Sequence, residues 1–205
     1  MISNDIILIG AEEDIILELN NSEHKILGFF GNKKKTNIKY LGTFSKIDAF
    51  IKKNPNVKIC IAMGPLQIRK KFLKKYKKNV LTYVSNRSLK GEKIKIGEGS
   101  FVQSFCFLGN NVKIGYCCKI NVGSNIHHGV KIGLLTDIAP NSTILGNSII
   151  GSECYIGSGT IVREKIKISD KIMTGINTAV VKNISLKGLY YGVPAKYKKN
   201  RYKRP

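Results

Sequence analysis

This sequence is poor in acid. Thirteen Asp and Glu stand against thirty-five Lys and Arg in 205 residues, a formal charge of +22. Such a surplus favours anionic partners: nucleic acid, a membrane surface or phosphorylated small molecules. Lysine is scattered along the whole chain, so charge alone does not choose among them. The cysteines number five, an odd count without metal-type spacing, which argues against a disulfide scaffold and fits a reduced, cytoplasmic chain. No apolar run approaches the roughly 20 residues of a membrane-spanning helix. Residues 1–5 lack the basic-then-apolar pattern of a secretory signal. Nor is Gly10-Ala11-Glu12-Glu13-Asp14 a phosphate-cradling glycine loop, because carboxylates at a helix start repel phosphate and are better suited to capping it. What the chain does have is apolar residues, 42 % of the total, enough for a substantial core.

Those residues are periodic in the second half. Steps of six from Ile96 reach Val102, Leu108, Ile114, Ile120, Ile126 and so on to Val180, fifteen positions of which only Thr174 is not aliphatic. Neither a helical nor a strand period keeps step with this spacing. Glycine follows the repeat position at 97, 109, 115, 133, 151, 157 and 175, where it is expected to serve turns that need positive φ. The residue two before each aliphatic, from Ser100 to Thr160, is always small. A three-faced prism explains the pattern: one short strand per face, eighteen residues per turn, aliphatics stacked inside and small residues at tight corners. This is a hexapeptide-repeat parallel β-helix of about five coils. It accounts for Cys106, Cys118 and Cys154 as inward small residues, whereas Cys117 is expected to point outward.

The first half alternates. Strands are expected at 5–9, 25–30, 57–63 and 80–84, with helices at 12–19, 45–53 and 66–78. Ser45 and Asp48 have the spacing of a capping box. The seven basic residues within 69–78 read as a solvated helix face. The expected fold is thus a small α/β (Rossmann-like) domain with a parallel sheet over 1–91, a β-helix over 92–188 and a basic C-terminal tail over 189–205. In a parallel sheet, ligands bind at the carboxyl ends of the strands.

With this order of segments stand Ile120-Asn121-Val122-Gly123-Ser124, Ile126-His127-His128, Ile138-Ala139-Pro140-Asn141-Ser142, Thr174-Gly175 and the closing Gly192-Val193-Pro194-Ala195-Lys196. Together they resemble the nucleotide-amino-sugar N-acetyltransferases and sialic-acid O-acetyltransferases. The resemblance implies a left-handed β-helix and a cytoplasmic homotrimer. It implies an enzyme that moves an acetyl group from acetyl-CoA, without a metal, to the amine of a nucleotide-linked amino-deoxysugar such as a 4-amino-4,6-dideoxy sugar. His128 would be the general base of a direct attack, with no covalent enzyme intermediate. Gly10, Asp14, Asn32, Gly64, Asn121 and His127 would contact the sugar nucleotide. Asp137, Gly146, Gly175, Gly192, Val193, Pro194 and Lys196 would contact the cofactor. The sequence departs from the family pattern at several points. Gly129 follows His128 where relatives carry a carboxylate, His127 replaces a Glu, and Asp137 replaces a second His. Glu12, Glu13 and Asp14 replace Gly-Gly-His in the first loop, and Gly31 and Asn32 stand where relatives have acids. Alternative readings are O-acetylation of a sugar hydroxyl, or a non-catalytic protein on the same scaffold that binds anionic ligands or nucleic acid; on the leading reading nucleic acid is not an expected partner.

Overall fold

A computed structural model describes residues 4–33, 35–61 and 65–199. The chain divides into two units, Met1–Thr82 and Tyr83–Pro205.

In the first unit the apolar run Asp5–Ile9 forms β1, which pairs in parallel with β2 (Lys25–Phe30) on one side and with β4 (Lys58–Cys60) on the other. A short strand, β3 (Tyr40–Gly42), lies outside β2 and completes the order β3-β2-β1-β4. A three-residue strand without alternation carries no period, and none is expected from the sequence there. Among the described residues three α-helices, α1 (Glu13–Asn20), α2 (Ile47–Lys53) and α3 (Leu66–Tyr76), and two single 3-10 turns, Phe44–Lys46 and Lys77–Asn79, complete the unit. Ile6 to Ile9 are all buried, as a central parallel strand demands, with Ile15 and Leu19 of α1 and Phe72 of α3 also in the core. Two helical expectations are corrected. Asp48 does not cap α2; its carboxylate instead accepts bonds from Lys75 Nζ and, at 2.7 Å, from Tyr76 Oη of α3. Lys75 thereby holds the Asp48 carboxyl below its ordinary range, with Tyr76 adding to it. Arg69 is buried rather than part of a solvated face, one turn before Phe72.

The second unit is a prism with three parallel sheets. The first face runs from Tyr83–Val84 through Phe101–Val102, Lys119–Ile120, Asp137–Ile138 and Tyr155–Ile156 to Ile172–Thr174. The second runs from Leu89–Lys90 through Phe107–Leu108, Asn125–Ile126, Thr143–Ile144 and Ile161–Val162 to Ala179–Val180. The third comprises Lys95–Ile96, Lys113–Ile114, Lys131–Ile132, Ile149–Ile150 and Lys167–Ile168. Each rung pairs with the residue eighteen further on, as in Ile114 with Ile132. The inward aliphatics from Val102 to Ile168 form one continuous core.

The small inward residues do more than save space. Ser100 Oγ donates to the Gly115 carbonyl at 2.7 Å and accepts the Cys118 N–H at 3.0 Å. Thr136 repeats the pattern with Gly151 and Cys154, and Ser148 with Arg163 and Ile166. Each hydroxyl satisfies buried backbone groups of the next coil that would otherwise cost stability.

The repeat glycines have a different reason from the expected one. Those that follow an aliphatic do not take positive φ. A Cβ on Gly97 would stand 2.6 Å from the backbone of Gly115 and Tyr116, so coils could not stack so closely. Positive φ falls instead three residues after the repeat position, from Gly99 to Asn177, and is borne mostly by other residues, among them Asn111, Cys117, Leu135, Asn141 and Asn147. Cys117 is one of these corner residues and is buried, not outward.

The boundaries shift too. Tyr83–Val84 pairs with Phe101–Val102 and Leu89–Lys90 with Phe107–Leu108, so the prism starts before residue 92 and the expected strand 80–84 is divided. Val80 bridges to Ile59 in the first unit. At the other end, 189–199 is not a free tail. Gly188–Tyr191 extends the first face in parallel and Lys196–Lys199 turns back antiparallel against it, burying Tyr190. Residues 200–205 of the expected tail lie outside the described residues.

Candidate active site

The corner between the second and third faces carries His127, His128 and Gly129. It is built by a ladder one coil deep at each step. Gly129 N–H donates to the Asn110 carbonyl, Asn147 N–H to the His128 carbonyl and Lys165 N–H to the Gly146 carbonyl, each at 2.9 Å. Asn110, His128 and Gly146 therefore stack on successive coils. His128 is exposed and His127 half-buried. The His128 ring lies over Gly146, where an added Cβ would stand 2.5 Å from Nε2 and 2.6 Å from Cε1. A Cβ on Gly109 would meet the His128 backbone nitrogen at 2.6 Å. Two glycines thus make room for this histidine, one beneath its main chain and one beneath its ring. Among the described residues no carboxylate is bonded to the ring, in keeping with Gly129 in place of an acid.

Beside the ring opens a cleft of about 390 Å³, lined by Leu89, Lys90, Phe107, Asn110, His127 and His128 among others. The Phe107 and His127 rings lie 5.5 Å apart and tilted by 58°. Leu89 is exposed and pairs directly with Phe107. Leu89, Phe107 and Asn110 were not expected as site residues. The eighteen-residue repeat carries the signal, since one coil back from His127 and His128 lie Gly109 and Asn110.

The other candidates scatter. Asn121 sits on a different corner, where its Nδ2 donates to the Ile138 carbonyl at 2.6 Å. Asp137 lies on the first face, in register with Lys119 and Tyr155. Gly175, Gly192, Val193, Pro194 and Lys196 gather at the C-terminal end of the prism. There Gly175 N–H donates to the Tyr190 carbonyl at 2.7 Å, Val193 is exposed before a cis proline, and Lys196 pairs with Tyr191. Gly10, Asp14 and Asn32 belong to the first unit. Gly10 and Asn32 follow the adjacent strands β1 and β2, and Asp14 is exposed in the first turn of α1. Gly64 lies outside the described residues.

Comparison with solved structures decides the architecture. A GDP-perosamine N-acetyltransferase from Caulobacter crescentus, solved with CoA and GDP-perosamine, superposes with a TM-score of 0.86 at 20 % identity, covering 95 % of this chain and 97 % of that one. The acetyltransferase domain of PglB from Neisseria gonorrhoeae, solved with acetyl coenzyme A, gives 0.83 at 18 % identity over 96 % and 100 %. The fold is that of the left-handed β-helix acetyltransferases. At the level of sequence, no family model matches. UDP-3-O-acylglucosamine N-acyltransferase of Bordetella pertussis is 31 % identical over 102 residues, 42 % of this chain and 28 % of that protein. GDP-perosamine N-acetyltransferase of Escherichia coli O157:H7 is 30 % identical over 71 residues, 35 % of this chain and 32 % of that protein. The aligned stretches span only about a third of the length of these curated relatives.

Proposed function

We propose that this chain is an acetyl-CoA-dependent N-acetyltransferase acting on a nucleotide-linked amino-deoxysugar, with His128 as general base. The observation that carries the reading is the exposed His128 ring seated over Gly146 at the mouth of a cleft. The fold shared with proteins solved with CoA, acetyl-CoA and GDP-perosamine supports the choice of donor and acceptor. In the reaction the acceptor amine attacks the thioester carbonyl. The C–N bond forms, the C–S bond breaks, the amine proton passes to the imidazole and CoA leaves as the thiolate, to be reprotonated. A positioned base typically contributes about 10²–10⁴ in rate. Phe107 and His127 wall the acceptor side of the cleft. The glycines and Lys196 at the C-terminal end are assigned to the cofactor, and the strand ends of the first unit, at Gly10 and Asn32, to the nucleotide. The assembly is a homotrimer, in which neighbouring prisms flank the cofactor.

The test is CoA thiol release from acetyl-CoA across UDP-, GDP- and dTDP-linked amino-deoxysugars, each paired with the sugar bearing a hydroxyl in place of the amine. Release with an amino sugar and not with its hydroxyl partner is expected. Release with the hydroxyl compound instead makes the protein an O-acetyltransferase, and release with none defeats both readings.

A further inference from the structure

The outward residues of the three prism faces differ sharply. On the third face they are Lys95, Lys113, Lys131, Ile149 and Lys167. The matching rungs of the first face carry Phe101, Lys119, Asp137, Tyr155 and Met173, and those of the second Phe107, Asn125, Thr143, Ile161 and Ala179. A uniform abundance of lysine would not place four on one face, one on another and none on the last. Register makes the row continuous, since Lys95 is paired with Lys113 and Lys113 with Lys131, while Ile149 stands between Lys131 and Lys167. With strands about 4.8 Å apart, the row extends roughly 19 Å along a flat face. All four lysines are exposed, and their main-chain groups are bonded within the coils, whereas none of the four ammonium groups has a hydrogen bond or ion pair among the described residues. Like charges directly opposite one another in a sheet are unfavourable. The first face, by contrast, sets Lys119 opposite Asp137.

Apolar side chains accompany the row. Ile149 is exposed within it. On the corner that follows the face, Tyr116 and Leu134 occupy equivalent places on successive coils and are exposed as well. The acids of that corner are Glu98, Glu153 and Asp170; Glu98 and Asp170 stand on outer coils, Glu153 is half-buried with its N–H on the Leu134 carbonyl at 2.8 Å, and Asp170 Oδ1 accepts the Ser152 N–H at 2.7 Å.

We propose that the third face is a docking surface for an anionic lipid bilayer, with the lysine row on the headgroup phosphates and Tyr116, Leu134 and Ile149 entering the interface. Flatness, single-sign charge and adjoining aliphatic and phenolic side chains are the features such a surface reads. A linear polyanion such as single-stranded nucleic acid would use the charge but leave Leu134 and Ile149 without a role. No helix among the described residues is long and apolar enough to cross a membrane, so the association is peripheral and salt-sensitive.

The test is co-sedimentation of the full chain with vesicles of phosphatidylcholine, alone or mixed with phosphatidylglycerol. Binding to the mixed vesicles only, reversed by salt, is expected. Each neutralised lysine lowers the partition coefficient about fivefold, so the double variant Lys113→Gln, Lys131→Gln falls about twenty-five-fold. The charge-matched control Lys52→Gln, Lys53→Gln on α2 stays near wild type, and Leu134→Ser with Ile149→Ser weakens binding without changing its salt dependence. Absence of binding to the mixed vesicles overturns the proposal, as does an equal loss in the α2 control. A double variant that binds vesicles normally but loses affinity for a single-stranded oligonucleotide, or shows a raised KM for acetyl-CoA, also overturns it and assigns the row to that ligand.

Discussion

The imidazole of His128 rests on the α-carbon of Gly146, one coil further along the same corner. A methyl group on that carbon would lie 2.5 Å from Nε2, closer than any side chain tolerates. Gly146 does not take positive φ, so alanine is acceptable to the backbone and the clash falls on the ring alone. Gly146→Ala is therefore expected to fold and melt like wild type while kcat drops by about 10²-fold, the scale of a catalytic group displaced by roughly an ångström. Steady-state kinetics beside a thermal melt checks this. Full activity in Gly146→Ala would mean that the ring position does not matter.

The two adjacent histidines are expected to separate. His127 packs its ring against Phe107, while His128 is the exposed one. His127→Ala should raise the acceptor KM several-fold and leave kcat within about tenfold of wild type, because it removes a wall of the cleft and not the base. The comparison is one set of acceptor saturation curves. A larger kcat loss in His127→Ala than in His128→Ala would reverse the assignment.

The stacked aliphatics are expected to be intolerant of charge. Ile126 and Ile132 belong to the continuous inner core, flanking the His128 corner. Ile126→Asp or Ile132→Asp buries an unpaired carboxylate at a cost of several kcal/mol, comparable to the stability of a whole domain. Loss of soluble protein is the expected outcome, read by expression and circular dichroism. Either variant folding normally would contradict the inward phase.

Much of this was legible in the sequence because a β-helix makes the same demand every six residues. An aliphatic at Ile114 and one at Ile132 answer the same contact, so the pattern sums over coils. What repeats less strictly was harder to read. The corner with positive φ accepts Asn111, Cys117 and Leu135 alike, so composition does not mark it, and the glycines that are visible mark close coil stacking instead. The start of the prism was hidden because Lys90 holds the hexad position just before Ile96. Within the site, His128 stood out through a family resemblance, whereas Asn110 becomes visible only after one coil is subtracted from 128, and Phe107 only after one coil is subtracted from Asn125, two residues before His127. β3 and the buried Arg69 depend on tertiary packing that no local period encodes.

The C-terminal strand is expected to contribute stability as well as charge. Lys196–Lys199 pairs with Gly188–Tyr191, Ala195 N–H donates to the Ala179 carbonyl at 2.8 Å, and the Tyr190 and Tyr197 rings meet edge to face. Truncation after Ala195 is expected to lower the melting temperature by several degrees through the exposure of Tyr190, on the order of 1–2 kcal/mol. It should also raise the KM for acetyl-CoA at low salt. A truncated chain with unchanged melting would show that the strand is dispensable to the fold.

Tyr190 gives the same region a pH signature. Burial, with a smaller contribution from Tyr197, pushes its phenol above the usual value near 10. A raised pKa in the folded state means that stability is complete below the unfolded value and falls as pH rises through the folded one. An alkaline destabilisation that begins above about pH 10 is expected, and it should diminish in Tyr190→Phe. Chemical denaturation at a series of alkaline pH values measures it. An identical alkaline limb in the variant would place the titrating group elsewhere.

The central claim is that His128 accepts the proton of an attacking amine, and replacement by a ring-free residue of similar size tests it most directly. CoA release from acetyl-CoA, measured with the amino sugar that the wild-type protein accepts, is compared between wild type and His128→Asn at saturating concentrations of both substrates. The account predicts a fall in kcat of about 10²–10⁴ with an unchanged melting temperature. A His128→Asn protein that turns over at the wild-type rate would contradict it.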